Sequence, residues 1–335
     1  MRVSGIILFI FSSSYCSAQN YGSFSFLEIP GSAFLNGIGG KNVSRVDRDN
    51  NLVTSNPALV SSKLKGHLSL NYVAYPGNVK ISNVTYTTDI GKTGNWSTNV
   101  IYFNYGEIDA YDDTGASIGK FKSSEYAITI SKSHKIGNIQ VGGNIKLAAS
   151  EIAGYNATGL MVDLGGAFIH PTKDFTAGMT IRNLGGVIND YTQSFSAKLP
   201  FDVQVGTSFK PEHMPFRFSL SIYDLTQWST PVNLPPGFEE RSTADQVFSH
   251  TIWGLELLVG KYVQVLLGYD HKRRKELKNT SASSGSGFSY GFLVGVNAFE
   301  FGYSRATYHV AGASNTFTVR TEISKLVRGK RTLEN

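Results

Sequence analysis

The stretch FSYGFLVGVNAFEFGYS, residues 288–304, alternates large apolar side chains with small or polar ones. In 288–296 the apolar residues take the even positions, and in 299–304 they take the odd positions. Successive side chains of a β-strand point to opposite faces, so each segment has one face suited to an apolar medium. The pattern predicts two strands joined by a short connection at Asn297-Ala298.

The same period-two alternation recurs along most of the chain. Five more segments separate cleanly into an apolar and a polar face: 124–131, 139–147, 175–182, 201–210 and 216–222. Weaker candidates lie at 66–75, 78–89, 95–105, 159–169, 251–258, 262–270 and 315–323. The total is about fourteen strands, each close to the ~9–11 residues with which a tilted strand crosses a bilayer. The even total suits a closed barrel, so the predicted fold class is all-β, a transmembrane antiparallel β-barrel.

The first eighteen residues have the pattern of a secretory signal. Arg2 supplies a positive charge, residues 5–11 are apolar, and Cys16-Ser17-Ala18 resembles a cleavage site. Cleavage after Ala18 would remove the only cysteine, so the exported chain would have neither a disulfide nor a cysteine metal site. The opposite end, 326–335, is predicted to be a basic tail.

A water-soluble sandwich or barrel would also alternate, but two further features favour the membrane beside the export signal. Four charged residues lie opposite apolar ones on the predicted strands, as expected if they point into a lumen: Lys146, Arg182, Asp202 and Arg217. Long gaps also alternate with short ones, as in outer-membrane barrels with longer external loops. The long gaps are 106–122, 152–158, 185–200, 227–249 and 271–286. We therefore predict an integral outer-membrane barrel over residues 66–325.

The composition is rich in glycine and aromatic residues, with 35 Gly, 17 Tyr and 21 Phe among 335 residues, and only 17% of residues are charged. No run after residue 20 approaches the ~18 apolar residues of a spanning helix, which excludes a bundle of apolar transmembrane helices. The net charge of +6 is a mild surplus, and a nucleic-acid partner is not expected. Aromatic residues near predicted strand ends suit interfacial girdles, or reflect the ordinary strand propensity of Tyr: Tyr72, Tyr75, Trp96, Tyr102, Tyr105, Tyr223, Trp228, Trp253, Tyr262, Tyr269, Tyr303 and Tyr308.

Residues 19–65 do not alternate and are predicted to form a plug. Ser32–Ile38 has the composition of a short helix that begins after Ser32 and ends at Gly39-Gly40. Asn56-Pro57 favours a turn or a helix start. A barrel of about fourteen strands would otherwise leave a channel, and this segment of small residues and short helices is suited to fill it.

Catalytic and metal-binding patterns are weak. Nearly all of the seven histidines fall singly in predicted turns or loops, where they are expected to be solvated, and no pair has the spacing of zinc ligands. The run Asp47-x-Asp49-x-Asn51 begins like a calcium loop, but Leu52 and Ala58 stand where Gly and Glu are required. Ser304 and His309 are the weak candidates for an outer-membrane hydrolase. We expect no enzyme activity and no cofactor or metal.

The external loops hold the candidate contacts with a surface partner. The run HKRRKELK, residues 271–278, is either a solvated loop or a site that attracts surface phosphates or an acidic partner. The predicted contact residues are Lys272, Arg273, Arg274 and Lys275 in this loop, with Phe238 and Glu239 in the loop 227–249.

The plug also carries a family resemblance. The string FLEIPGSAFLNGIGGKNVS, residues 26–44, followed by Asp47-x-Asp49 and NPAL at 56–59, resembles the amino-terminal signature of the PorV/PorQ family. Its spacing is closer to the PorQ branch. The specific resemblance covers about residues 24–62, and Phe34 stands where the family commonly has arginine. The plug motif comprises Gly39, Gly40, Asp47, Asp49, Asn56, Pro57 and Ala58.

This family consists of outer-membrane components of the type IX secretion system of Bacteroidetes, distantly similar to FadL-like barrels. The resemblance implies a non-enzymatic barrel in the cell-surface attachment complex, beside a sortase-like PorU and a PorV-like shuttle. It would anchor a PorZ-like surface protein while cargo is joined to lipopolysaccharide. The alternative is a FadL-like transporter of hydrophobic solutes in which residues 19–65 act as a movable hatch.

Overall fold

The computed structural model describes residues 23–46, 48–91, 94–193, 197–228, 242–276, 285–309, 312–323 and 325. Several predictions fall outside these residues: the signal at 1–18, the tail at 326–335, Asp47, Phe238 and Glu239. The side chain of His309 is likewise outside the description.

The described residues form a closed barrel of fourteen antiparallel strands, in which each strand pairs with its sequence neighbours and the last pairs with the first. The strands are β1 His67–Tyr75, β2 Val79–Asp89, β3 Asn95–Tyr111, β4 Ser117–Ile136, β5 Ile139–Ile152, β6 Tyr155–Ile169, β7 Phe175–Asn189, β8 Asp202–Phe209, β9 Phe216–Ile222, β10 Thr251–Val259, β11 Val263–Asp270, β12 Phe288–Val296, β13 Phe299–His309 and β14 Gly312–Glu322. The seam joins His67 to Glu322. The predicted fold class is confirmed.

The alternation in the sequence becomes the two faces of the wall. On β12, Tyr290 and Phe292 point outward and are 49% and 46% exposed, whereas Ser289 points inward and is buried. Ile145 of β5 is likewise exposed, while Lys146 is buried. Large apolar side chains on the outside and polar ones inside are the arrangement that a barrel in lipid requires.

The two ends of the barrel differ. One, the turn end, carries the connections 90–94, 137–138, 170–174, 210–215, 260–262 and 297–298; the other, the loop end, carries 76–78, 112–116, 153–154, 190–201, 223–250, 271–287 and 310–311. The predicted loops 106–122 and 152–158 are wrong, because the flanking strands continue into them. Their residues lie beyond the apolar band, so neither face need be apolar and the alternation disappears.

Short helices account for the remaining regular structure. Within residues 23–65 there are one α-helix, α1 Ala33–Gly37, and the 3₁₀ turns Ser25–Glu28, Asn50–Thr54, Pro57–Leu59 and Ser62–Leu64. At the loop end lie α2 Thr243–Phe248, α3 His271–Glu276 and the 3₁₀ turns Pro76–Asn78 and Leu225–Gln227. None of the described helices is long and apolar enough to cross a membrane.

Some of the predicted girdle aromatics lie inside the barrel. Tyr72, Tyr102 and Trp253 are exposed on the outer wall, as expected. Tyr75 and Tyr105 occupy inward positions instead: the Tyr75 ring packs against that of Tyr308 at 5.0 Å, and the Tyr105 hydroxyl donates to Glu125. Tyr223 is also buried. Tyrosine suits both places because it joins an apolar ring to a polar tip.

Candidate functional site: the plug in the lumen

Residues 23–65, here called the plug, run inside the barrel from the loop end to the turn end. Phe24 and Phe26 lie in the loop-end half, where the Phe26 ring meets Phe103 at 5.2 Å within an apolar cluster. At the other end, the Val60 carbonyl accepts hydrogen bonds from Ser133 and Gln140 near the turn between β4 and β5. The plug therefore spans much of the lumen from one end to the other.

The middle of the plug begins with the predicted helix, which is confirmed. The Ser32 hydroxyl accepts a hydrogen bond from the Leu35 amide and caps α1. Gly39 and Gly40 end it with φ of 103° and 107°, a backbone region that a side chain disfavours. A Cβ added at Gly268 of β11 would lie 2.2 Å from the Gly39 nitrogen, so the two backbones are in direct contact.

Three wall glycines, Gly142, Gly165 and Gly178, lie directly against residues 43–57 of the plug and are here called the glycine floor. A Cβ at Gly142 of β5 would lie 2.5 Å from the backbone of Pro57, and one at Gly178 of β7 would lie 1.9 Å from the Val43 carbonyl oxygen. At Gly165, on the intervening strand β6, it would lie 1.9 Å from the Asn56 side-chain oxygen. Glycine within a strand often marks such a close approach of another backbone.

Asn56 fastens the plug to this floor. Its Oδ1 accepts from the Ala58 amide at 2.9 Å and caps the turn that begins at Pro57, as the sequence predicted. Its Nδ2 donates to the carbonyl of Val43 at 2.8 Å and lies 3.2 Å and 3.3 Å from two wall carbonyls, those of Gly166 and Met179. The residue is fully buried, so these bonds have no competition from water.

Ion pairs hold the plug near the turn end. Arg48 pairs with Glu300 of β13 at 2.9 Å, and Arg320 of β14 joins Glu300 at 2.8 Å and Asp49 at 3.4 Å. The Asp49 carboxylate also accepts from the Asn51 amide. Three strands further along the wall, on β10, the buried Glu256 pairs with Arg45 of the plug at 3.4 Å and is also contacted by Arg217.

A second set of charges lies in the lumen closer to the loop end. Glu28 of the plug pairs with Arg182 at 3.2 Å and with Lys41. Lys146 and Asp163, both almost completely buried, pair at 2.9 Å on the adjoining wall. The four charges predicted to face a lumen all do so, and each is buried. Breaking such a pair by removing one partner costs roughly 3–5 kcal/mol, because the other charge is left without compensation.

Together these contacts reach every strand of the described barrel. The wall residues that touch the plug, from β1 to β14, include Asn71, Asn83, Phe103, Ser133, Gln140, Gly165, Gly178, Ser208, Ser221, Glu256, Gly268, Ser289, Ser304 and Thr318. A segment with contacts on all sides is firmly held, because its release requires many buried contacts to break together.

Of the predicted contact residues, the structure describes Lys272–Lys275, which lie at the loop end in a small folded unit, here called the cap, formed by residues 223–228, α2 and α3. Residues 271–276 form α3, where Lys272 donates to Asp224 at 2.7 Å and Lys275 pairs with Asp245 of α2 at 3.0 Å. Arg273 is not at the surface but points into the barrel. Its guanidinium donates a hydrogen bond to the Gly39 carbonyl oxygen and lies over the Tyr308 ring. A partner for Lys272, Arg274 and Lys275 stays a prediction.

Of the side chains considered for catalysis or metal binding, Ser304 and His250 are buried and make contacts that stabilise the fold. Ser304 is buried and accepts a hydrogen bond from Asn36 of α1 at 3.3 Å. His250, expected to be solvated, is buried and stacks on Trp228 at 4.5 Å, because the cap folds over it. No group of three or more His, Cys, Asp or Glu in the described part of the chain is placed to hold a metal ion.

The cap should open in acid through Asp245. The hydrogen bond from Lys275 lowers the pKa of this carboxyl below its usual range, and His271 contributes a second bond. A lowered pKa in the folded state means that the contact is complete above the unfolded value of about 3.9 and is lost as the pH falls through the lower folded value. We expect the amide protection of α2 and α3, measured by hydrogen exchange relative to an unstructured peptide, to persist from pH 7 to 5 and to be lost only at a pH below the ordinary Asp value of about 3.9. Asp245→Asn should lower it already at pH 6; equal protection in both proteins there would contradict the role of this carboxylate.

The similarity of this chain to known proteins is found in its structure and not in its sequence. No protein-family model matches the sequence, and no curated protein does. The solved structure described as "TodX deltaS2S3 mutant monoaromatic hydrocarbon channel" superposes with a TM-score of 0.50 at 10% identity, covering 87% of this chain and 97% of that one. A FadL homologue of Pseudomonas aeruginosa gives the same score and identity over 88% and 99%. The chain therefore has the fold of FadL-like outer-membrane barrels.

Proposed function

We propose that this protein is a non-enzymatic outer-membrane barrel, closed by its own plug, that anchors a partner protein at the cell surface. The observation that carries the proposal is the contact of the plug with all fourteen described strands. A segment held by buried ion pairs and by a glycine floor is suited to stay in place, whereas a hatch must move readily. A rigid closed barrel with a folded cap at its loop end has the properties of a membrane anchor.

The specific setting that we propose is the attachment complex of the type IX secretion system. Its support is the resemblance of residues 24–62 to the PorV/PorQ family, in the segment that the structure places in the lumen. The partner would be a PorZ-like protein bound at the loop end, with a PorU-like sortase and a PorV-like shuttle nearby. The anchored complex would act while cargo is joined to lipopolysaccharide.

Affinity purification of the tagged full-length protein from detergent-solubilised membranes tests the anchor. We expect a surface protein to be recovered at close to one copy per barrel, and to leave the membrane fraction when the barrel gene is deleted. A tagged unrelated outer-membrane barrel serves as the control. Recovery of no partner near this ratio, with the surface proteome unchanged in the deletion strain, would overturn the proposal.

Transport of hydrophobic solutes is the second candidate. The loop-end half of the lumen favours it, because Phe24 and Phe26 lie there in an apolar cluster with Phe103 and Met161. Such a cluster is the environment that a hydrophobic solute would need on entering from outside. Transport predicts that the deletion strain takes up a hydrocarbon solute more slowly and that the intact gene restores the rate. Under the anchor proposal the rate does not change.

A further inference from the structure

The hairpin between β3 and β4 extends well beyond its neighbours at the loop end. Pairing of β3 with β2 ends at Asn104, and pairing of β4 with β5 ends at Ser123. From there to the tip the two strands pair only with each other, through Glu107 with Lys122 and Tyr111 with Ser117. Residues 105–122 are here called the ribbon. Its β3 side is an open edge, since no other strand of the described chain pairs with it there.

A bulge at the base of the ribbon sets which side chains this edge presents. One residue is inserted in β3 between the pairs Asn104–Ser124 and Glu107–Lys122, and Gly106 takes a φ of 74°. Bulges occur at barrel rims and re-aim the strand that follows. Here the bulge brings Ile108 opposite Phe121, on the face that continues the inner wall of β4.

The other face of the ribbon carries the charges. Glu107 and Asp109 lie on β3, and Lys120 and Lys122 lie across from them on β4, at nitrogen–oxygen distances of 3.6–3.9 Å. All four side chains are at least half exposed, so these pairs are weak. The open edge therefore presents acidic residues in alternation with the apolar Ile108 and a small Ala, and its charges are available to an incoming strand.

The ribbon has a defined shape, and among the described strands none pairs with it as a third. At the tip, the Asp112 carboxylate accepts from the amides of Thr114 and Ala116, both at 2.9 Å, which holds a tight turn. Two strands alone are marginally stable in water, and an open edge is a template for pairing with another chain. A groove of about 520 Å³ lies between this edge and the turn at Pro76–Asn78, in line with the end of β2.

We propose that the open β3 edge of the ribbon binds an extended strand of a partner protein in which basic and apolar residues alternate. The added strand would continue the line of β2, with its basic side chains beside Glu107 and Asp109 and its apolar ones beside Ile108. Strand addition of this kind gains affinity from backbone hydrogen bonds and specificity from alternate side chains. A second copy of this chain fits poorly, because two such edges would place acidic residues opposite each other. The inference rests on the proposed anchoring of a surface protein and names its docking edge.

A peptide assay tests the edge without knowledge of the partner. The probe is a fluorescent peptide of four Val-Lys repeats, titrated against the full-length barrel in neutral detergent, with Val-Glu repeats for comparison. The net charge of the chain is +6, so a basic peptide has no general attraction to it. We expect the Val-Lys peptide to bind at least about tenfold more tightly, and to lose binding when alternate backbone amides are methylated. Equal binding of the two peptides, or full binding of the methylated one, would overturn the proposal.

Charge exchange provides the matched variants. E107K/D109K should weaken the Val-Lys peptide at least about tenfold, although it also removes the cross-strand pairs within the ribbon. Adding K120E/K122E restores those pairs with the signs exchanged, and this fourfold variant should prefer the Val-Glu peptide. An unchanged preference in the fourfold variant would overturn the assignment of the edge.

Purification of the tagged fourfold variant from membranes separates this inference from the anchor itself. If the natural barrel recovers its surface protein and the variant recovers it equally well, the docking edge is wrong and the anchoring function stands. If the natural barrel recovers no partner, the anchoring function fails, whatever the peptides show.

Discussion

Asn56→Asp is expected to loosen the plug strongly, although the two side chains have nearly the same shape. The substitution keeps the oxygen that caps Pro57 but replaces the buried amide group, which donates to the Val43 carbonyl and faces two wall carbonyls, with a second acceptor. A buried acceptor that faces carbonyl oxygens costs about 1–3 kcal/mol, and more when it is charged. On unheated gels the folded barrel runs as a compact form that heating converts to the unfolded one. We expect the urea concentration at which half of this compact form is lost, the urea midpoint, to be clearly lower in the variant.

The pH dependence of this loss identifies its cause. A protonated carboxyl can donate one hydrogen bond, so the variant should be less destabilised at pH 5 than at pH 8. Asn104→Asp is the matched control, because Asn104 is exposed and uses only its oxygen, which accepts from the Gly106 amide. A midpoint for Asn56→Asp equal to that of this control would contradict the role of Asn56 in fastening the plug.

Gly178→Ala is expected to have a comparable effect through space alone. The added methyl group would lie 1.9 Å from the Val43 oxygen and 2.8 Å from its carbonyl carbon, and backbone cannot rotate away as a side chain can. Overpacking of this kind costs about 1–3 kcal/mol, and the upper value applies where the obstacle is backbone. The measurement is again the urea midpoint, together with ion conductance in planar bilayers, which should rise if the plug is displaced.

The control for this change lies on the same strand. A Cβ at Gly186 of β7 meets nothing within 4 Å, so Gly186→Ala should leave both the midpoint and the conductance unchanged. If Gly178→Ala behaved like Gly186→Ala, the plug would not be packed against the glycine floor in the membrane.

The sequence predicted the barrel well where lipid constrains it. Every outward position within the apolar band must be apolar, so 288–296 was recognised with the same bounds as β12. In the ribbon both faces meet water, and pairs such as Glu107 with Lys122 lie on separate strands. No local period marks these pairs, so the sequence predicts a loop where the structure has a long hairpin.

The site was predicted only in its local parts. Ser32, Gly39 and Asn56 act on their own segment, and their cap and turn signals could be seen in the sequence. The contacts between the plug and the wall could not be predicted from the sequence, because their partners are far apart along the chain. Arg48 and Glu300, for example, are 252 positions apart. One signal in the sequence does point to this contact: glycine at inward positions of predicted strands, as at Gly142 and Gly178, marks a close approach of another backbone.

The course of the plug has a consequence for assembly. Its first described residues lie in the loop-end half and its last lie at the turn end, beside the seam where β1 meets β14. Ala33 is bonded to Thr318 across 285 positions, so neither this contact nor the seam can form until the final strand has been made. The barrel can therefore close around the plug only after the whole chain is available, and a product truncated before Gly312 would lack both the β1–β14 seam and the β14 contact of α1.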